Sequence, residues 1–233
     1  MKKTLLLSML MSSMLVSVSA LAERVEVFRW QSISSSPATL VQGMTAAAKI
    51  HEAAGAHVGI YQLDVGSSGQ TFDYVLRWDT GEAWAKTKAS NNSEEWQAFW
   101  SQAAESPSGN LVMSVEGLNW DSSVKSSSFK DDGPFRTYVW QPNAGKAAAV
   151  YAAFMKAKEL HTEAGAKVDI YTEGVGGTGA IHYVIAFEDW AAMAKFGDTM
   201  AASEEFRFLQ AASAGSATLT GSVQGQPLYY TGR

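Results

Sequence analysis

Short runs of alternating apolar and polar residues are separated along the chain by longer stretches with helical spacing. The first run, RVEVFRW (24–30), is β-branched and aromatic and predicts a strand. After Ser36-Pro37, apolar residues recur every three or four positions, which predicts a helix that ends at Gly55. The rest of the first half predicts two more strands, an interrupted helical stretch and a closing strand, at 57–65, 71–78, 81–104 and 111–117. The helical stretch is interrupted near Asn91-Asn92, where Ser93 can cap a new turn.

The second half of the chain repeats this pattern. The segments IHEAAGAHVGIY (50–61) and LHTEAGAKVDIY (160–171) share seven of twelve residues. Three further segments recur in the same order, FDYVLRW as IHYVIAF, SEEW as SEEF and SVEG as SVQG. We therefore interpret residues 23–120 and 135–233 as two copies of one βαββαβ unit. The connecting residues 121–134, DSSVKSSSFKDDGP, are serine-rich and charged and predict a solvated linker.

The predicted fold class is α+β, with two tandem ferredoxin-like βαββαβ units. The sheet of each unit has apolar residues on both faces, since the first strand carries Val25 and Val27 on one side and Phe28 and Trp30 on the other. A sheet that is apolar on both faces must be covered on both, and the second unit is the available cover. We expect the two sheets to pack into an α/β barrel within one chain, so that the protein is a monomer or a weak dimer.

The first 22 residues have the features of a secretory signal peptide. Lys2-Lys3 precedes an apolar run, and Ala20-Leu21-Ala22 is a small-residue cleavage site. We expect cleavage near Ala22 and a periplasmic or secreted protein, with no membrane attachment after cleavage.

Charge and cysteine content exclude several classes of function. Of the 18 basic residues, two lie in the predicted signal peptide, so the remaining chain has a net charge near −7. A chain this acidic, without a basic stripe, is not expected to bind nucleic acid. The sequence contains no cysteine, which removes thiolate chemistry, cysteine-ligated zinc and disulfides.

A tandem of βαββαβ units with SEEW and SEEF in the second part of the interrupted helix resembles the dimeric α/β-barrel superfamily. This superfamily includes the antibiotic-biosynthesis-monooxygenase-like and NIPSNAP-like domains, and the resemblance covers almost all of residues 23–231. It implies a barrel of sheet packed against sheet. Known members include haem-degrading monooxygenases, chlorite-dismutase-like haem proteins and small-molecule isomerases, so the fold does not imply one activity. No catalytic motif of the superfamily can be placed on residues of this chain.

Two of the four histidines, His51 and His161, occupy the same place in both copies, in the last turn of the first helix. There a histidine can donate hydrogen bonds to the free carbonyls of the helix end, or it can lie in the core with its own hydrogen bonds made. Alternatively, it can line a pocket. From the topology we expect it near the end of the third strand, whereas Trp30 and Trp140 should lie at the opposite end, outside any shared site. The candidate ligand-binding residues are His51, Tyr61, Arg77, Trp78, His161, Tyr171 and Phe187.

The residues leave it open whether the chain is an enzyme. The histidine spacing offers no metal pair, so no metal is expected. The favoured function is the binding of a small apolar or aromatic ligand between helix and sheet, without a cofactor. One alternative is monooxygenase-like chemistry, either cofactor-free or with haem on a histidine. The other is an interaction protein of the periplasm.

Overall fold

The computed structural model describes residues 22–33 and 36–233. Apart from Ala22, the predicted signal peptide lies outside these residues. Within the described residues, no helix is both long and apolar enough to cross a membrane.

The described chain forms eight strands, six α-helices and one short 3-10 helix. The strands are β1 Arg24–Ser32, β2 His57–Leu63, β3 Thr71–Trp78, β4 Gly109–Asn119, β5 Phe135–Pro142, β6 Lys167–Glu173, β7 Ile181–Ala186 and β8 Ala217–Tyr230. The α-helices are α1 Pro37–Ala53, α2 Gly81–Ser90, α3 Glu94–Glu105, α4 Ala147–Glu163, α5 Trp190–Ala202 and α6 Glu204–Ser213. The 3-10 helix is Ser126–Phe129.

Local sequence signals set the helix boundaries. The predicted helix after Ser36-Pro37 is α1, with Pro37 as its first residue. The predicted interruption at Asn91-Asn92 separates α2 from α3, and the Ser93 hydroxyl accepts a hydrogen bond from the backbone N–H of Trp96 at 3.2 Å. These boundaries could be predicted because each depends on a few neighbouring residues.

The eight strands form one closed antiparallel barrel in the order β1-β3-β2-β8-β5-β7-β6-β4. Two pairings join the halves of the chain: β2 with β8 and β4 with β6. The predicted α+β class and the barrel are therefore confirmed. All six helices pack on the outside, and closure leaves the strands with one face toward these helices and the other toward the barrel interior.

Alternation along β3 shows how the two faces differ. Tyr74, Leu76 and Trp78 point outward into the core beneath the helices, whereas Val75 and Arg77 point into the barrel. The helix-covered core is apolar. The barrel interior also contains charged residues, which the apolar strand pattern did not predict.

The predicted solvated linker is wrong for its central part, which closes one end of the barrel. Phe129 is 4% exposed, and its ring lies 3.8 Å from the Arg77 guanidinium. The backbone carbonyl of Ser126 accepts a hydrogen bond from the Tyr230 hydroxyl at 2.6 Å. Serine and charged residues are compatible with burial here because barrel residues supply their hydrogen bonds and ion pairs, including a bond between Lys167 and Asp132 at 3.0 Å.

Candidate functional site

A large pocket lies outside the barrel, between the helices of the first half and the sheet. Its volume is about 550 Å³, within the range of small-molecule sites. We call it the aromatic pocket. Its walls are the inner face of α1, the outward residues of β1 and β3, the end of α2, and α3 with the residues that follow it. The lining residues are Phe28, Trp30, Leu40, Gly43, Met44, Ala47, His51, Tyr74, Leu76, Thr87, Lys88, Asn91, Trp96, Phe99, Trp100, Ala103, Ala104, Pro107, Ser108 and Gly109.

One polar group in this pocket is the imidazole of His51, which is 4% exposed. Its Nδ1 lies 2.8 Å from the hydroxyl of Tyr74, and its ring packs on Trp96 with 4.5 Å between centroids. Among the described residues, Nδ1 is the acceptor that the Tyr74 hydroxyl reaches, so the hydroxyl donates and the His51 proton is on Nε2. Burial lowers the pKa of His51 to about 4, so the ring is neutral at pH 7.

The amide of Asn91, at the end of α2, also lines the pocket. It raises the pKa of His51 through a side-chain hydrogen bond, against the larger effect of burial, so it lies beside the imidazole. Its Oδ1 is nevertheless buried without a hydrogen bond of acceptable geometry from any described residue. A buried acceptor without a partner is costly, and a ligand donor could satisfy it. The pocket therefore has a donor, the Nε2–H of His51, beside a buried acceptor that lacks a well-formed hydrogen bond.

The corresponding region of the second half is packed with aromatic rings. His161 keeps the same bond, with its Nδ1 2.9 Å from the Tyr183 hydroxyl. Phe206 and Phe196 lie 5.0 and 5.2 Å from its ring, and its Nε2 has no described partner. Phe154 stands at the position of Met44, and its ring packs on Tyr183 at 5.3 Å. A ring thus occupies in the second half the place that the flexible Met44 side chain has in the first.

The structure separates the predicted ligand-binding residues into two environments. His51 lies in the aromatic pocket, and Trp78 lies below it, 1% exposed, with its indole N–H donating to Thr87 at 2.9 Å. His161 reaches Phe187 only through Phe196, which contacts both rings. His51 contacts Tyr74 and Trp96 instead of the predicted Arg77 or Trp78.

Tyr61, Arg77 and Tyr171 point into the barrel and do not belong to the space between helix and sheet. The expectation that they would share a site with the histidines is wrong, because adjacent residues of a strand face opposite sides. The expectation that Trp30 would be remote from His51 is also wrong. Both line the aromatic pocket, which extends along the length of α1.

Sequence reasoning missed four residues that define the pocket: Gly43, Tyr74, Asn91 and Trp96. One signal was available, since the tyrosine of FDYVLRW recurs in IHYVIAF as Tyr183 and thus accompanies the repeated histidine. For Asn91 the sequence predicts only a helix break. Among the described residues, no group of His, Cys, Asp or Glu could hold a metal ion.

The two buried histidines make stability depend on pH. Burial lowers the pKa of both His51 and His161 to about 4 from an ordinary value of 6.5. The unfolded chain therefore binds protons first, and stability is complete above pH 6.5 and falls as the pH decreases toward 4. We expect each histidine to reduce the free energy of unfolding by about 1 kcal/mol between pH 7 and 5.5. Urea unfolding at both pH values measures this loss, and His161→Gln should show a smaller one. An equal loss in this variant would contradict the assignment of part of the pH dependence to His161.

Comparison with solved structures places the chain among ferredoxin-like α/β barrels. A proposed monooxygenase from Fusobacterium nucleatum matches with a TM-score of 0.61 and 12% identity, over 90% of this chain and 94% of that one. An anthrone oxidase-like protein matches with a TM-score of 0.56 and 14% identity, over 91% and 94%. A chlorite dismutase from Candidatus Nitrospira defluvii, in complex with cyanide, matches with a TM-score of 0.51 and 11% identity, over 92% and 93%.

These identities are low, so the likeness shows the fold alone. No protein-family model matches the sequence. No curated protein matches it either.

Proposed function

We propose that the protein binds a flat aromatic molecule carrying a hydroxyl group, a hydroxyarene, in the aromatic pocket. The observation that carries this proposal is the Oδ1 of Asn91, which lacks a well-formed hydrogen bond, beside the His51 imidazole at a pocket lined by aromatic rings. A hydroxyl group can accept from the Nε2–H of His51 and donate to Asn91 Oδ1 at the same time. The rings of Trp96, Phe99 and Trp100 offer faces and edges for stacking.

The test is titration with 2-naphthol and with naphthalene, followed by tryptophan fluorescence and calorimetry. We expect 2-naphthol to bind at least tenfold more tightly, because naphthalene leaves Asn91 Oδ1 unsatisfied. In Asn91→Leu this preference should disappear, while naphthalene still binds. Equal affinity of the wild-type protein for both compounds would contradict the bridging hydroxyl, and no binding of either would contradict the proposed function.

A second candidate function is cofactor-free oxidation of the bound hydroxyarene by O₂. It is supported by the likeness in fold to the proposed monooxygenase and to the anthrone oxidase-like protein. Oxygen uptake by the complex with 2-naphthol would support this activity, and binding without oxygen uptake would leave the protein a binding protein.

Haem fits the described pocket poorly. The fold likeness to chlorite dismutase makes haem a reasonable alternative, and His51 offers a neutral imidazole. Haem also carries two propionates, for which the described lining supplies a single ammonium group, that of Lys88. This group already pairs with the buried carboxylate of Glu26. Both propionates would therefore lack a free cation.

We also propose that the two halves arose by tandem duplication and that the protein is exported and functions as a monomer or weak dimer. The repeated segments and the matching element order of the two halves support duplication. The sequence of the first 22 residues supports export. Pairing of β2 with β8 and β4 with β6 within one chain supports the monomer, because it leaves no barrel seam for a second chain to close.

A further inference from the structure

The aromatic pocket is longer than a hydroxyarene of two fused rings. It extends along α1 from His51 to Leu40, which are eleven positions apart, or about 16 Å at the rise of an α-helix. Gly109 marks the same end as Leu40, since a Cβ on Gly109 would stand 3.0 Å from the Leu40 methyl groups. A molecule such as 2-naphthol, bound at His51, would leave the part of the pocket near Leu40 empty.

The two ends of the pocket differ in polarity and in exposure. At the end near His51, Tyr74 is 6% exposed and Thr87 is 1% exposed, and Asn91 lies beside the imidazole. The end near Leu40 is more open, because Trp100 is 43% exposed there. We call this open end the mouth. A ligand hydroxyl therefore has its partners at the closed end, and the rest of the ligand points toward the mouth.

Aromatic rings connect the closed end to the mouth. The Trp96 ring packs on His51 with 4.5 Å between centroids, and Trp100 lies 5.7 Å from Trp96. Trp30, on the sheet side, lies 6.5 Å from Trp100. The wall between the two ends is therefore continuous and apolar, which favours a ligand that is apolar over the same length.

Apolar surface continues beyond the mouth. Trp30 is paired in the sheet with Leu111, which is 48% exposed, and the next residue, Val112, is 57% exposed. Ile33, 36% exposed, donates its backbone N–H to the carbonyl of Ser108 in the pocket lining at 3.0 Å. Single exposed aliphatic residues are common, but a group of them at the opening of an apolar pocket indicates a binding surface.

We propose that the aromatic pocket binds a hydroxyarene that carries a long alkyl chain on the side opposite its hydroxyl group. This inference rests on the proposed binding of a hydroxyarene. The hydroxyl group lies between His51 Nε2 and Asn91 Oδ1, the ring packs on Trp96, and the chain follows α1 to the mouth. With carbon–carbon bonds of about 1.5 Å, a phenol with an extended eight-carbon chain is about 15 Å long, which matches the pocket.

The face of α1 favours a chain over further fused rings. Leu40 and Met44 project into the pocket, whereas Gly43 and Ala47 leave space between them. A rigid flat body would have to pass both projecting side chains in one plane. A chain with rotatable bonds can bend around them, and Met44 can also adapt its shape.

The experiment is titration of the full chain with para-alkylphenols from ethyl to octyl, followed by tryptophan fluorescence and calorimetry. We expect the affinity to increase by up to about fourfold for each added methylene group, the value for complete burial. Between the ethyl and octyl compounds the gain should reach at least fiftyfold. If 2-naphthol binds but chain length has no effect, this inference is wrong and hydroxyarene binding stands. If none of the phenols binds, both are wrong.

The ortho isomer of octylphenol tests the position of the chain. It is as hydrophobic as the para isomer, but its chain leaves the ring next to the hydroxyl group, at the closed end beside His51 and Asn91. We expect it to bind at least tenfold more weakly than the para isomer. Equal affinities would overturn the inference, because adsorption to any apolar surface would not distinguish the two isomers.

Ala103→Trp should block the chain without affecting the ring. Ala103 lies on α3, one turn after Phe99 and Trp100, and lines the pocket toward the mouth. We expect the affinity for para-octylphenol to fall at least tenfold and that for 2-naphthol to stay unchanged. The matched control is Ala211→Trp on α6, outside the pocket lining, which should change neither affinity. Unchanged binding of para-octylphenol in a folded Ala103→Trp would contradict the course of the chain. If this variant does not fold, the comparison of the two isomers decides the question.

Discussion

Gly43→Phe should abolish hydroxyarene binding without destabilising the protein. Gly43 lies on the inner face of α1, lines the aromatic pocket, and has no atom within 4 Å of the place where a Cβ would stand. A phenylalanine ring there would occupy space that the ligand needs. Helix propensity improves when an interior glycine is replaced, by up to about 0.5 kcal/mol for phenylalanine. We expect 2-naphthol affinity to fall at least a hundredfold, with an unchanged or higher unfolding temperature.

Gly197→Phe is the matched control. Gly197 lies within α5, also with open space at its Cβ position, and does not line the aromatic pocket. It therefore gives the same change in helix propensity and hydrophobicity at another place. We expect it to bind 2-naphthol as the wild-type protein does. Retained binding in Gly43→Phe, or equal losses in both variants, would show that the ligand binds elsewhere.

Arg77→Met should cause the largest loss of stability of any single substitution considered. The Glu23 carboxylate is fully buried and has its ion pair with Arg77 at 2.9 Å, so the substitution leaves a buried charge without a cation. Breaking a buried ion pair in this way costs about 3–5 kcal/mol. The Tyr171 hydroxyl also loses the donor at 2.7 Å. Urea unfolding at pH 7 measures the change in the free energy of unfolding.

Two further variants separate the ion pair from general effects of losing arginine. Arg29→Met removes a bidentate pair with Asp73 at 2.8 Å that is more exposed, so we expect a smaller loss, about 1–2 kcal/mol. Combining Arg77→Met with Glu23→Gln removes the uncompensated charge and should restore part of the stability. If the double variant is no more stable than Arg77→Met alone, the buried charge is not the cause of the loss.

Most of the fold could be predicted because its signals are local or repeated. Neighbouring residues specify each element: the alternation in RVEVFRW specifies a strand, Gly55 the end of α1, and the capping Ser93 the start of α3. The repeated segments indicate that the two halves share one element order. Apolar residues on both faces of each predicted sheet called for a second sheet as cover, and this led to the barrel.

The candidate site could be predicted only in part. His51 was identified by its recurrence, but its partners come from elements distant in sequence: Tyr74 from β3 and Trp96 from α3. The difference between Met44 and Phe154 is visible in the sequence. Whether a methionine leaves space that a phenylalanine fills depends on how α1 and α3 pack, which no local pattern encodes.

The sequence by itself determined the elements, their order and the two-sided apolar character of the strands, because these depend on the periods of strand and helix. Only the tertiary structure decided which polar residues meet. Glu23 and Arg77 are 54 positions apart, and Arg77 and Tyr171 are 94 apart. Barrel closure brings them together in an interior where each charge must find a partner, and that requirement arises only once water is excluded.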